Sequence, residues 1–149
     1  MTLKKLEQVA VVVHDLEAAK AFFIELGLEL EGEASLEGDT VDRITGLNGV
    51  RTDIAMLRPP DGHGGLELIK YHTPEGPEAD PHAPMNTPGI RHFVFSVEDI
   101  EESLERLRRH GGTLVGELVQ YEDSYRLCYV RGPEGIVVEL AEELVRREA

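Results

Sequence analysis

Gln8-Val-Ala-Val-Val-Val-His-Asp15-Leu16-Glu17 and His92-Phe-Val-Phe-Ser-Val-Glu-Asp99-Ile100-Glu101 follow one plan: an apolar run, an acidic residue, then a helical pattern. Each residue of the second stretch lies 84 positions after its counterpart in the first. A second landmark repeats in the same order. Arg58-Pro-Pro-Asp-Gly62 leads into Leu66-Glu67-Leu68, and Arg131-Gly-Pro-Glu-Gly135 leads into Val138-Glu139-Leu140. Two landmarks in one order in both halves mark an internal duplication.

Working outward, Leu6 to Val13 reads as a strand. Asp15 is placed to cap a helix whose apolar positions are Leu16, Ala19, Phe23 and Leu26, with Gly27 as its stop. Leu28 to Leu36, Thr52 to Arg58 and Leu66 to Lys70 complete a strand-helix-strand-strand-strand module. The proline-rich stretch Tyr71 to Pro88 is the connector. The second copy runs as a strand over His92 to Val97, then a helix capped by Asp99, with Glu102 placed to close a capping box. Ile100, Leu104 and Leu107 form its apolar stripe, Gly111-Gly112 end it, and strands follow over Thr113 to Val119, Arg126 to Arg131 and Ile136 to Leu140. The expectation is an α+β domain over residues 1–149, with two βαβββ modules forming a cupped mixed sheet. Module 1 covers about 4–70, the linker 71–88, module 2 about 89–141, and a short charged helical tail 142–149.

Composition sets the class. With 41% hydrophobic and 30% charged residues, and no apolar run near the ~20 residues of a membrane span, the chain reads as a globular protein rather than a membrane one. The N-terminus lacks an apolar signal core, and the single Cys128 permits no internal disulfide, so a cytoplasmic location is expected. Cys128 sits in an apolar strand and is expected to be buried. A net charge of −14 disfavours nucleic acid, which demands a positive surface. The partner class is instead a small molecule, and a homodimer is expected because open sheets leave edges to cover.

Side chains alternate across a strand. Gln8, Ala10 and Val12 therefore share one face, as do His92, Val94 and Ser96, while the bulkier Val9, Val11, Val13, Phe93, Phe95 and Val97 point to the helix side. Glu67 and Glu139 each interrupt an apolar strand at matched places. A carboxylate facing a sheet interior is costly unless paired or metal-bound. Four polar residues, two per module, thus stand where a strand face would otherwise be apolar.

These openings, the glutamate in each final strand and the duplicated order resemble the vicinal oxygen chelate superfamily, which contains the glyoxalases, over nearly the whole chain. The resemblance implies metal ligands at Gln8, Glu67, His92 and Glu139, a set similar to that of lactoylglutathione lyase (glyoxalase I) of the eukaryotic type. The long connector is similar to that of methylmalonyl-CoA epimerase. The chain departs from glyoxalases in lacking their aspartate-proline-aspartate-glycine turn before the last strand. Arg43, Asn48, Arg51 and Arg91 are substrate-binding candidates by residue type alone.

Three oxygen donors and an imidazole suit a divalent Zn, Ni, Co, Mn or Mg ion, and the lack of thiolates disfavours a structural zinc site. The function implied is a metal-dependent lyase or isomerase that moves a proton next to a chelated carbonyl, with Glu139 as first candidate base and Glu67 as second. Two alternatives remain at this level. One is a non-catalytic small-molecule-binding protein of the bleomycin-resistance type. The other is an extradiol dioxygenase, disfavoured because Gln8 stands where a second histidine is expected.

Overall fold

A computed structural model describes residues 2–144. The chain divides into two compact units, Met1–Glu78 and Ala79–Ala149. Each contains one βαβββ module and its own four-stranded mixed sheet, so the cupped sheet expected from the sequence is built as two.

In the first unit the elements are β1 (Val9–Val12), α1 (Leu16–Leu26), β2 (Glu29–Glu37), α2 (Asp39–Thr45), β3 (Arg51–Arg58) and β4 (Leu66–Thr73). The sheet order is β1-β4-β3-β2, parallel between β1 and β4 and antiparallel elsewhere. Asp15 caps α1 by accepting from the Ala18 amide at 3.0 Å. Gly27, at φ 126°, ends the helix by donating to the Phe23 and Ile24 carbonyls. The helix buries Ala19, Phe22 and Phe23 against Ala55, Leu57, Leu66 and Leu68. Full burial of an aromatic such as Phe22 contributes about 1.5–3 kcal/mol.

The second unit repeats the plan with β5 (His92–Ser96), α3 (Ile100–Arg108), β6 (Thr113–Tyr121), β7 (Tyr125–Arg131) and β8 (Val137–Glu143), in the order β5-β8-β7-β6. Asp99 accepts from the Glu102 amide at 3.1 Å. The Glu102 side chain does not complete the expected capping box but pairs with Arg106 at 2.7 Å. Glu142 caps in its stead, accepting from the Ile100 amide at 2.9 Å across the module. Gly112 follows α3 because a Cβ there would stand 2.8 Å from the Leu107 carbonyl oxygen. Ile100, Leu104 and Leu107 bury against Cys128, Val130, Val138 and Leu140.

Four details differ from the sequence reading. Strand β1 is shorter than Leu6 to Val13, so Gln8 stands just before it. Helix α2 was not expected; its seven residues bury no side chain, and an amphipathic pattern is therefore lacking. Strand β4 continues through Tyr71, His72 and Thr73, placing His72 in a sheet rather than in the connector. Glu142 and Glu143 belong to β8 rather than to a helical tail, and residues 145–149 lie outside the described residues. Among the described residues, no helix is long and apolar enough to cross a membrane.

The connector docks on the second module. Arg131 donates to the Pro81 carbonyl at 3.2 Å and to the Ala83 carbonyl at 2.9 Å. Gly135, at φ 84°, leaves room for Pro81, whose carbonyl oxygen would otherwise lie 2.5 Å from a Cβ.

Candidate functional site

Around the two glutamates the register of the modules matches. Glu67 lies beside Ala10 of β1 and opposite Met56 of β3. Glu139 lies beside Val94 of β5 and opposite Tyr129 of β7. In both modules the glutamate points away from the helix, because its flanking residues (Leu66 and Leu68, Val138 and Leu140) are buried on the helix side.

Each glutamate meets the polar residue at the entry to its neighbouring strand. In the first unit the Gln8 amide donates to Glu67 Oε2. Gly65 permits the approach: its missing Cβ would stand 3.3 Å from Gln8 Cβ and from the Glu7 carbonyl. In the second unit His92 Nε2 lies 3.7 Å from Glu139 Oε1, with the two side chains 29% and 19% exposed. His92 Nδ1 is buried and has no hydrogen-bond partner among the described residues. Such an orphan costs about 1–3 kcal/mol, so the ring stands in a polar setting that the chain alone does not satisfy.

Tyr129 completes the second pair. Its ring packs edge-on against His92, with centroids 4.9 Å apart at 71°. The Glu139 carboxylate across the strands, aided by burial, pushes the Tyr129 phenol above its ordinary pKa. The first module has Met56 at this position, which offers no proton donor. The signal that singles Tyr129 out is its register opposite Glu139.

Of the substrate-binding candidates, Arg43 and Arg51 are engaged in ion pairs away from the Gln8–Glu67 pair. Arg43 is on α2 and pairs with Asp39; Arg51 opens β3, on the helix-side parity, and pairs with Glu37. Asn48 is exposed in the turn after α2. Arg51 is five residues from Met56, roughly 17 Å along the strand. Arg91 adjoins His92 in sequence, donates to the Pro88 carbonyl at 3.2 Å and has a buried Nε without a partner.

A polar chain absent from the sequence reading lies on the helix side of the first sheet. Asp53 accepts from the Ser35 hydroxyl at 2.6 Å and meets His72 Nε2 at 2.7 Å. These bonds hold its carboxyl below the ordinary carboxylate value. The aspartate is central and the histidine peripheral, the reverse of a nucleophile-activating triad. Among the described residues, no group of three or more His, Cys, Asp and Glu side chains gathers to hold a metal ion. Within the first unit Gln8 pairs with Glu67, and within the second His92 lies beside Glu139.

Duplicated βαβββ modules with a polar pair joining the entry and final strands of each define the class, and the chain belongs to the Glyoxalase/Bleomycin resistance protein/Dioxygenase superfamily, whose sequence pattern matches residues 5–140. A glyoxalase family protein from Bacillus cereus is 48% identical, with 97% of each chain covered and a TM-score of 0.93. The uncharacterized protein YaeR of Escherichia coli strain K12 is 26% identical over 142 residues, covering 95% of this chain and 98% of YaeR. TnmS3, an antibiotic binding protein from Streptomyces sp. CB03234, shares the fold at 20% identity and a TM-score of 0.59, with 96% and 98% of the chains covered.

Proposed function

We propose that the chain is a divalent-metal-dependent lyase or isomerase that transfers a proton next to a carbonyl of a small substrate. The observation that carries this reading is the matched pairing, Gln8 with Glu67 and His92 with Glu139, at equivalent places in two modules. The residues suit such an ion in kind: an amide, two carboxylates and an imidazole are donors for a hard or borderline cation. Gln8, Glu67, His92 and Glu139 are the residues that would hold it. When bound, a divalent ion supplies Lewis-acid polarisation of neighbouring substrate oxygens.

The protein groups do the rest. Glu139, which faces Tyr129 across the strands, is the proposed base that takes the proton beside the carbonyl and returns it. Glu67 is the second candidate. The Gln8 amide fixes its carboxylate, leaving the amide oxygen as a donor.

A homodimer is part of the proposal, because the sheets end on open strands, β1 and β2 in one unit and β5 and β6 in the other. Sedimentation over a dilution series checks it. The functional reading is tested by elemental analysis of the purified protein and by titration with Zn, Ni, Co, Mn and Mg. Uptake of one ion per chain supports it. No uptake at micromolar metal overturns it in favour of small-molecule binding without chemistry; the antibiotic binding protein TnmS3 shares this fold.

A further inference from the structure

The two modules carry the same arginine and the same turn glycine and use them differently. Arg58 and Arg131 each stand two residues beyond the position opposite the glutamate, Met56 in β3 and Tyr129 in β7. Arg58 donates to the Glu31 carboxylate at 3.0 Å and to the Gly62 carbonyl of its own turn at 3.1 Å. Arg131 donates instead to the Pro81 and Ala83 carbonyls of the connector. The turn glycines part in the same way. Gly62, at φ 78°, faces open space, while Gly135, at φ 84°, lies against the Pro81 backbone. Two separate contacts thus grip residues 81–83, and their counterparts in the first module serve only that module's own turn and β2.

The grip lies beside His92. Arg131 is registered with Val137, and Val137 with His92, so the three stand abreast across β7, β8 and β5. Arg131 shares its strand parity with Tyr129, which puts it on the face of His92 and Glu139. Strand β5 ends the sheet, with β8 on one side, and His92 is its first residue. The end of an edge strand frays readily, since few ladder bonds hold it. Past the grip, residues 84–91 run directly into His92. This segment is folded on itself: the Thr87 amide donates to the Pro84 carbonyl at 3.0 Å, and Arg91 to the Pro88 carbonyl at 3.2 Å. Pinning the chain at 81–83 leaves fewer arrangements open to residue 92. The two modules differ accordingly. Gln8 follows an exposed segment and is itself exposed, whereas His92 is half-buried, its ring against Tyr129.

We propose that Arg131 is a positioning residue: with Gly135 it clasps the connector and so holds the His92 imidazole against Tyr129, beside Glu139. A guanidinium suits the task, because its rigid fork serves two carbonyls at once. The clasp deepens the reading above in that His92 belongs to both, but it acts without any bound ion.

Amide hydrogen exchange and the nuclear Overhauser contact between the His92 and Tyr129 rings are recorded on the full chain with excess EDTA. Arg131→Met keeps the stem and loses the donors. Amides of residues 92–94 should then exchange about ten-fold faster or more, while those of Leu104, Leu107 and Val130 stay within about two-fold. The His92–Tyr129 ring contact should weaken or vanish. Arg58→Met, the equivalent change in the first module, should leave both readings at His92 as in the unaltered chain. Gly135→Ala should act like Arg131→Met, because its Cβ would stand 2.5 Å from the Pro81 carbonyl oxygen. Gly62→Ala carries a similar positive-φ strain without that collision and should leave His92 unaffected. Unchanged exchange and ring contact in both Arg131→Met and Gly135→Ala overturn the proposal. Faster exchange spread evenly over the second unit also overturns it, since Arg131 would then be a general stabiliser. Because metal is chelated throughout, failure of the metal reading leaves this result intact.

Discussion

Tyr129 and Glu139 face each other across β7 and β8, and the carboxylate pushes the phenol above its ordinary pKa. The equivalent Glu67 faces Met56 and takes its hydrogen bond from Gln8 instead. The two glutamates are therefore held by different chemistry on the same backbone frame. Replacing Tyr129 by Phe should leave the fold intact and remove the phenol that faces the carboxylate. Where the proposed base depends on that phenol, kcat should fall about ten-fold or more while metal affinity changes less. Steady-state kinetics beside metal titration of the same variant checks the split.

Glu139→Gln keeps an oxygen donor and removes the base. Turnover should fall by ~10²–10⁴-fold with metal occupancy largely retained. His92→Ala should lose the ion itself, and activity should track occupancy. Intact turnover in Glu139→Gln with metal bound would move the base to Glu67.

Acid should weaken the first unit through Asp53. Its folded carboxyl is held below the ordinary value of 3.8, by the Ser35 hydroxyl first and His72 second. A depressed folded pKa contributes stability that is fully present above the unfolded value and is lost as pH falls through the folded one. The window therefore lies below about pH 4. Asp53→Asn should flatten the pH dependence of urea midpoints there and change little of the slope near neutrality.

Cys128 is 2% exposed, and burial pushes its thiol pKa up. Native protein should react slowly with a thiol reagent, and rapidly once urea opens the second unit. Fast stoichiometric labelling without denaturant would contradict the packing of β7 against α3.

Phe22 is fully buried in the first unit. Phe22→Ala should cost about 3–5 kcal/mol by transfer and cavity terms together. Gly112→Ala should also destabilise, since its Cβ meets the Leu107 carbonyl oxygen at 2.8 Å and Val130 Cγ1 at 3.0 Å. Equilibrium denaturation reads both.

What the sequence disclosed follows from where information is periodic. The constant offset between Gln8 and His92 located both entry strands, and the Asp15 and Asp99 caps located both helices, because these signals are local. Glu67 and Glu139 stood out because a carboxylate breaks an apolar strand. The Ser35–Asp53–His72 chain was illegible, since it joins three strands whose register no local pattern states. Helix α2 escaped for another reason: with no buried side chain it carries no apolar stripe. The reach of β8 through Glu143 was hidden by its charge, although Glu142 is charged because it caps α3 from a distance.

The matched register of the two modules also constrains how they could have come to differ. Converting the first polar pair into the second needs two side-chain changes, Gln8→His and Met56→Tyr, and no insertion within a strand. The ancestral half, once copied, could thus diverge into an amide-supported carboxylate and an imidazole–phenol-supported one by point changes alone. A double variant carrying both changes would place identical donors in each half.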